Sequence, residues 1–118
     1  MSENIIQVKS FEFAVAIVET CKSLITDKRE FVLSKQLLRS GTSIGANISE
    51  AARGESTKDF VHKFKISRKE ANETLYWLKL LGVTNYLQLE ISAKLIQQCE
   101  ELLRILTAII RTIETKSD

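Results

Sequence analysis

The residues that could carry chemistry are few and scattered. His62 is the one histidine, and no second His or Cys lies near it in sequence, so it reads as a surface histidine rather than a ligand or general base. Two cysteines, Cys21 and Cys99, cannot complete a common four-ligand zinc site with that one histidine. Each falls on an apolar stripe, where a small buried hydrophobe explains it better than a redox pair. Glu100 and Glu101 are adjacent, point in different directions on a helix and cannot cooperate as acid and base. No Gly-rich phosphate loop, nucleophile elbow or helical zinc motif is present, so neither enzymatic activity nor a cofactor or metal is expected. Clustered ligands for a small-molecule site are missing too. What clusters is positive charge. Residues 31–79 hold nine Lys or Arg against five acids, a net of +4, while residues 1–30 and 80–118 each carry −1. Arg53, Lys58, Lys63, Lys65, Arg68 and Lys69 are therefore the candidate phosphate-contacting surface, whose binding should weaken with salt. A solvated helix face is the alternative. Tyr76 and Trp77 could stack on bases, but beside Leu75 and Leu78 they read as closing the core or an interface.

These residues must be positioned by a chain of 118 residues, enough for one domain spanning 1–118. With no Pro and 4 Gly, long uninterrupted helices and an all-α class are expected. The overall charge of +2 is too small to declare a partner by itself. The apolar run Phe13 to Val18 is too short for a secretory leader or a membrane span, and Glu3 and Glu12 precede it. Two lone thiols then fit a cytoplasmic protein with no disulfide framework and no membrane partner.

Helical spacing of Phe11, Ala14, Val18, Cys21 and Ile25 predicts a first helix over residues 3–27. A second should be capped by Ser34, carry Leu37, Leu38, Ile44 and Ile48, and end near Arg53 with Gly54 as its C-terminal cap. Ser56 with Asp59 resembles a capping box and opens a third, whose core face is Phe60, Phe64, Ser67, Ala71, Leu75 and Leu78. A turn at Gly82 to Asn85 leads to a fourth from about Leu89, with Leu95, Cys99, Leu102, Leu106, Ile109 and Ile113 on its core face.

Short links make consecutive helices antiparallel neighbours, so the expected fold is an up-down-up-down four-helix bundle. The terminal helices hold more apolar residues than one stripe needs. Phe13, Ile17 and Leu24 on the first, with Ile96, Leu103 and Ile110 on the last, are assigned to an interface between copies, making the chain a homo-oligomer; the alternative is that these two helices are buried more widely inside a monomer. Gly41 and Gly45, four apart, let a neighbouring helix approach closely. If the turn between the second and third helices centres near residue 55, Arg39 lies opposite Glu70 and Glu73 in a buried ion pair whose loss costs about 3 to 5 kcal/mol. The same register brings Asn47 to Lys63 and Ser43 to Ser67 as hydrogen bonds between helices, with Glu50 on that polar stripe.

The run Leu37, Leu38, Arg39, Ser40, then Thr42 to Ala51, resembles the signature of the four-helix-bundle proteins encoded in 23S ribosomal RNA intervening sequences. Lys58, Asp59, Phe60, then Phe64, Lys65, Ile66, and Lys69 to Leu78 are similar to the third-helix pattern of that family, and Glu100, Glu101, Leu102 and Ile105 to Ile110 fit its fourth. The resemblance covers essentially the whole chain. It implies a homopentameric ring without known enzymatic activity. A relative of that family, the accessory variability determinant of diversity-generating retroelements, forms a basic barrel that binds nucleic acid and associates with a reverse transcriptase. By analogy, the expected partners are RNA or DNA, or a reverse transcriptase or other nucleoprotein. The competing expectation is a purely structural or protein-interaction ring.

Overall fold

The computed structural model describes residues 2–117, and the side chains of residues 5–116. Met1 and Asp118, the ends of the expected domain, lie outside the described residues. Four helices account for nearly all of it: α1 (Ser2–Lys28), α2 (Leu33–Ala51), α3 (Thr57–Val83) and α4 (Leu89–Ser117). α1 packs on α2 and α4, and α3 packs on the same two; among the described residues no Cα of α1 comes within 8 Å of one in α3, nor one of α2 of one in α4. The molecule measures 49 × 21 × 20 Å. Along the α2–α3 seam, residue numbers fall on one helix as they rise on the other: Ser40 meets Thr74, Ile44 meets Ser67 and Glu50 meets Lys63.

Small polar residues let the helices approach. The hydroxyls of Ser67 and Ser92 donate across the bundle to the carbonyls of Ile44 and Leu78, each at 2.9 Å, so burial leaves these donors satisfied. Gly41 faces Ile17 of α1, and a Cβ there would stand 2.9 Å from the Ile17 side chain. Gly45 lies against the Ser10 carbonyl at a corresponding 3.2 Å. The expected close approach at these glycines is thus made by α1. Gly41→Ala should cost about 1 to 3 kcal/mol, because buried Ile17 has to shift within a packed core, and urea unfolding measures the loss.

The helix ends follow local chemistry, not always that expected. Ser56 accepts from the Asp59 N–H at 3.1 Å and opens α3 as its sequence promised. Ser34, however, is not the cap of α2. It lies within the first turn, and the Glu30 carboxylate instead accepts from the backbone N–H groups of Val32, Leu33 and Ser34 at 3.2, 3.0 and 2.7 Å. A side chain reaching forward from outside the helix can satisfy three orphan donors where a serine satisfies one. Gly54 does not cap α2 in a left-handed conformation either. No glycine has positive φ, and those conformations fall to Arg29 and Asn85.

Burial alone would raise the Glu30 carboxyl, but the three backbone N–H bonds together with Ser34 outweigh it and hold it below the usual carboxylate range. A lowered folded value means that its stabilisation is present above the unfolded value of about 4.3 and is lost as pH falls through the folded value. Glu30→Ala should therefore destabilise by about 0.5 to 2 kcal/mol at neutral pH. Thermal unfolding of the two proteins at successive pH values should show that gap closing in acid.

The apolar residues of α1 sort differently from the expectation. Phe13, Ile17 and Leu24 are buried in the chain's own core, together with Ile6 and, from α4, Ile110, beside Cys21, which was expected there. Ile96 and Leu103 pack against that core, partly buried. None of the six residues assigned to an interface between copies forms an outward face. Of the residues assigned to the core of α1, Phe11 is 69% exposed and Ile25 is exposed as well. α1 is apolar on two opposite faces, and the face that meets Gly41 and Gly45 is the one that goes inside. Val8, Phe11 and Val15 are left as an outward stripe.

Candidate nucleic-acid interface

Positions 58, 62, 65, 69, 72, 76 and 79 step along α3 by three and four, so they share one face of the helix. Every one is exposed. They are Lys58, His62, Lys65, Lys69, Asn72, Tyr76 and Lys79: four cations and no acid on a row about 32 Å long at 1.5 Å per residue. The opposite face, with Phe64, Ser67, Ala71, Thr74 and Leu78, is buried and fixes which way the row points. Because α3 lies diagonally across from α1, this row and the apolar stripe of Val8, Phe11 and Val15 are on opposite sides of the molecule.

The six basic residues singled out in the sequence do not form one patch. Lys58, Lys65 and Lys69 stand on the row. Lys63 turns toward α2 and pairs with Glu50 at 2.8 Å. Arg68 turns toward α4, where it shares a shallow groove of about 210 Å³ with Arg111 and Glu114. Arg53 is exposed just beyond α2 and borders a groove between α1 and α2. Lys65 also reaches α4, with its Nζ 2.7 Å from Glu114, whereas Lys58, Lys69 and Lys79 make no salt bridge among the described residues. Lys79 and Arg111 join this side of the molecule without having been singled out. Continuing the three-four step from Lys58, Lys65 and Lys69 finds Lys79; nothing local in the sequence finds Arg111, which comes from another helix.

Two acids on the flank of α3, Glu70 and Glu73, are already engaged. Arg39 bridges Glu70, at 3.1 Å, and Glu73, while the Trp77 indole N–H donates to Glu73 at 3.0 Å. The Trp77 bond and the Arg39 guanidinium hold the Glu73 carboxyl below the usual range. This network is not the buried pair expected, since the Arg39 side chain is 48% exposed. Solvent screening brings its contribution down from about 3 to 5 kcal/mol to about 1 kcal/mol or less per pair. The expected bonds of Asn47 with Lys63 and of Ser43 with Ser67 are not made. Ser43 donates to the Arg39 carbonyl at 2.6 Å and Asn47 to the Ser43 carbonyl at 2.8 Å, both within α2, because the preceding turn offers an acceptor closer than the neighbouring helix does.

Chemistry of other kinds finds little purchase among the described residues. No group of three or more His, Cys, Asp or Glu is arranged to hold a metal ion. Burial pushes the Cys21 thiol up to about 11, and burial with the nearby Glu100 charge pushes Cys99 up to about 12, so both are protonated and poorly nucleophilic at neutral pH. Among the described residues no helix is long and apolar enough to cross a membrane.

The model of the 23S rRNA-intervening sequence protein family matches residues 2–108. A crystal structure at 1.70 Å of a protein of unknown function, from the S23 ribosomal protein family of Bacteroides thetaiotaomicron, superimposes with a TM-score of 0.92. It is 49% identical, over 94% of this chain and 99% of that one. No curated protein is similar enough to match.

Proposed function

The chain belongs to the 23S rRNA-intervening sequence protein family, and from that premise we propose that it is a non-enzymatic, ring-forming bundle that binds nucleic acid along α3. The observation that carries this reading is the acid-free row with Lys58, Lys65, Lys69 and Lys79, pointing outward on one helix. Cations spaced along a rod neutralise phosphates and release counterions, which gives affinity without demanding a sequence. Arg68 and Arg111 extend the same field toward α4.

In this reading the helices run up-down-up-down, and copies associate through the outward stripe of α1. Phe11 stands beside a groove of about 520 Å³ whose far wall carries Thr42, Gly45, Ala46 and Ser49 of α2 and Ala52 just beyond it. A projecting ring on one copy fits a hollow lined by small side chains on the next. Repeated head-to-tail, such contacts would close into a ring, a pentamer by family resemblance. Placing the interface on α1 leaves the α3 row facing away from it, and each copy adds its own row to the field. By analogy alone, a nucleoprotein such as a reverse transcriptase is a partner that such a ring would serve.

Binding of labelled RNA and DNA, followed by fluorescence anisotropy across a salt series, tests the reading. Four phosphate contacts predict a loss of affinity of roughly fiftyfold for a single strand and 150-fold for a duplex between about 50 and 200 mM salt. Absence of binding, or binding indifferent to salt, would leave a purely structural ring.

A further inference from the structure

Tyr76 is 60% exposed on the basic row between Lys69 and Lys79, while Trp77 beside it is half-buried against the core. The two aromatics therefore have different tasks. Their rings meet edge to face, with centroids 5.0 Å apart and planes at 77°. Trp77 is itself tied down through its indole N–H to Glu73, which Arg39 holds from α2. Tyr76 is thus an outward aromatic surface whose orientation is braced from below, so little side-chain freedom is left to lose when something stacks on it. Lys69 and Lys79 flank it on the same face, about 10 Å and 5 Å away along the helix axis.

We infer that the α3 row takes single-stranded nucleic acid, with one base stacked on Tyr76 and the neighbouring phosphates held by Lys69 and Lys79. This rests on the nucleic-acid reading above and narrows it. A duplex keeps its bases stacked on one another and offers a convex helix only phosphates and groove edges, so lysines suffice for it and an outward ring adds nothing. An unpaired strand presents free π-faces, which an aromatic between cations captures regardless of base identity.

The test compares wild type, Tyr76→Ala and Tyr76→Phe for binding of a mixed-sequence single strand and of its duplex, at one salt concentration. A strand carrying 2-aminopurine reports stacking directly. Tyr76→Ala should weaken single-strand binding by about 5- to 150-fold, as expected for one stacked base, and leave duplex binding unchanged. Tyr76→Phe should keep wild-type affinity and the quenching of 2-aminopurine, which Tyr76→Ala should lose. Circular dichroism should be the same for all three, since the substituted side chain is exposed. If Tyr76→Ala binds the single strand like wild type, or weakens both substrates equally, the stacking platform is overturned while nucleic-acid binding stands. If wild type binds neither substrate, the parent reading fails and this one with it.

Discussion

Reversing Lys58, Lys65, Lys69 and Lys79 to glutamate should abolish nucleic-acid binding, with a loss of at least about a hundredfold near 50 mM salt, while the helices and the assembly remain intact. All four side chains are exposed on the outward face of α3, and three of them make no salt bridge among the described residues, so little folding energy is at stake. The fourth, Lys65, gives up an exposed pair with Glu114, worth about 1 kcal/mol or less. Phosphate attraction, by contrast, turns into repulsion at four places along one row. Reversing Lys28 and Lys94, which lie on α1 and α4 away from that row, should leave affinity nearly unchanged although the net charge falls by the same amount per residue. The comparison separates a local surface from a bulk charge effect. Equal losses in the two variants would remove the row as the binding element.

The second large effect is expected at the other side of the molecule. Phe11→Glu combined with Val15→Glu should convert the proposed assembly to free chains, raising the dissociation constant between neighbours by at least about a hundredfold, or about 2.8 kcal/mol. Both side chains are exposed in the protomer, so circular dichroism and thermal unfolding of the separated chains should show a folded helical protein. Phe13→Glu, two residues from each, is the informative contrast. Its side chain is only 3% exposed, and a charge there has no partner inside the core, so the variant should unfold rather than dissociate. Light scattering combined with chromatography distinguishes the two outcomes. Wild-type protein that runs as one protomer at micromolar concentration would remove the ring altogether.

Much of the molecule was legible from local patterns. The absence of proline, the capping Ser56, and the three-four spacing of Phe64, Ala71 and Leu78 or Leu95, Cys99 and Leu102 define helices whose apolar face has a single direction. On α3 one stripe is apolar and the opposite one basic, so burying the first decides where the second points. The pairing of Arg39 with Glu70 and Glu73 also followed from residue numbering across one short turn. Its degree of burial did not, because numbering says which residues are level and nothing of how far outward they lie. Glu30 as the cap of α2 was equally hidden, since its bonds depend on how the chain reverses at Arg29.

By itself, then, the amino-acid order determines four helices, the positions of the glycines and the sign of the charge along α3. Which side of α1 faces inward was decided only by tertiary packing. That helix offers two apolar stripes of similar character, and a period of 3.6 residues describes both without ranking them. The choice is made by shape: Ile17 fits against Gly41 and Ser10 lies against Gly45, contacts that exist only once two helices are brought together. Turning Ile17 and its stripe inward puts Phe11 and Val15 outside, and that outward stripe, not the one the spacing first suggested, carries the association proposed for this chain.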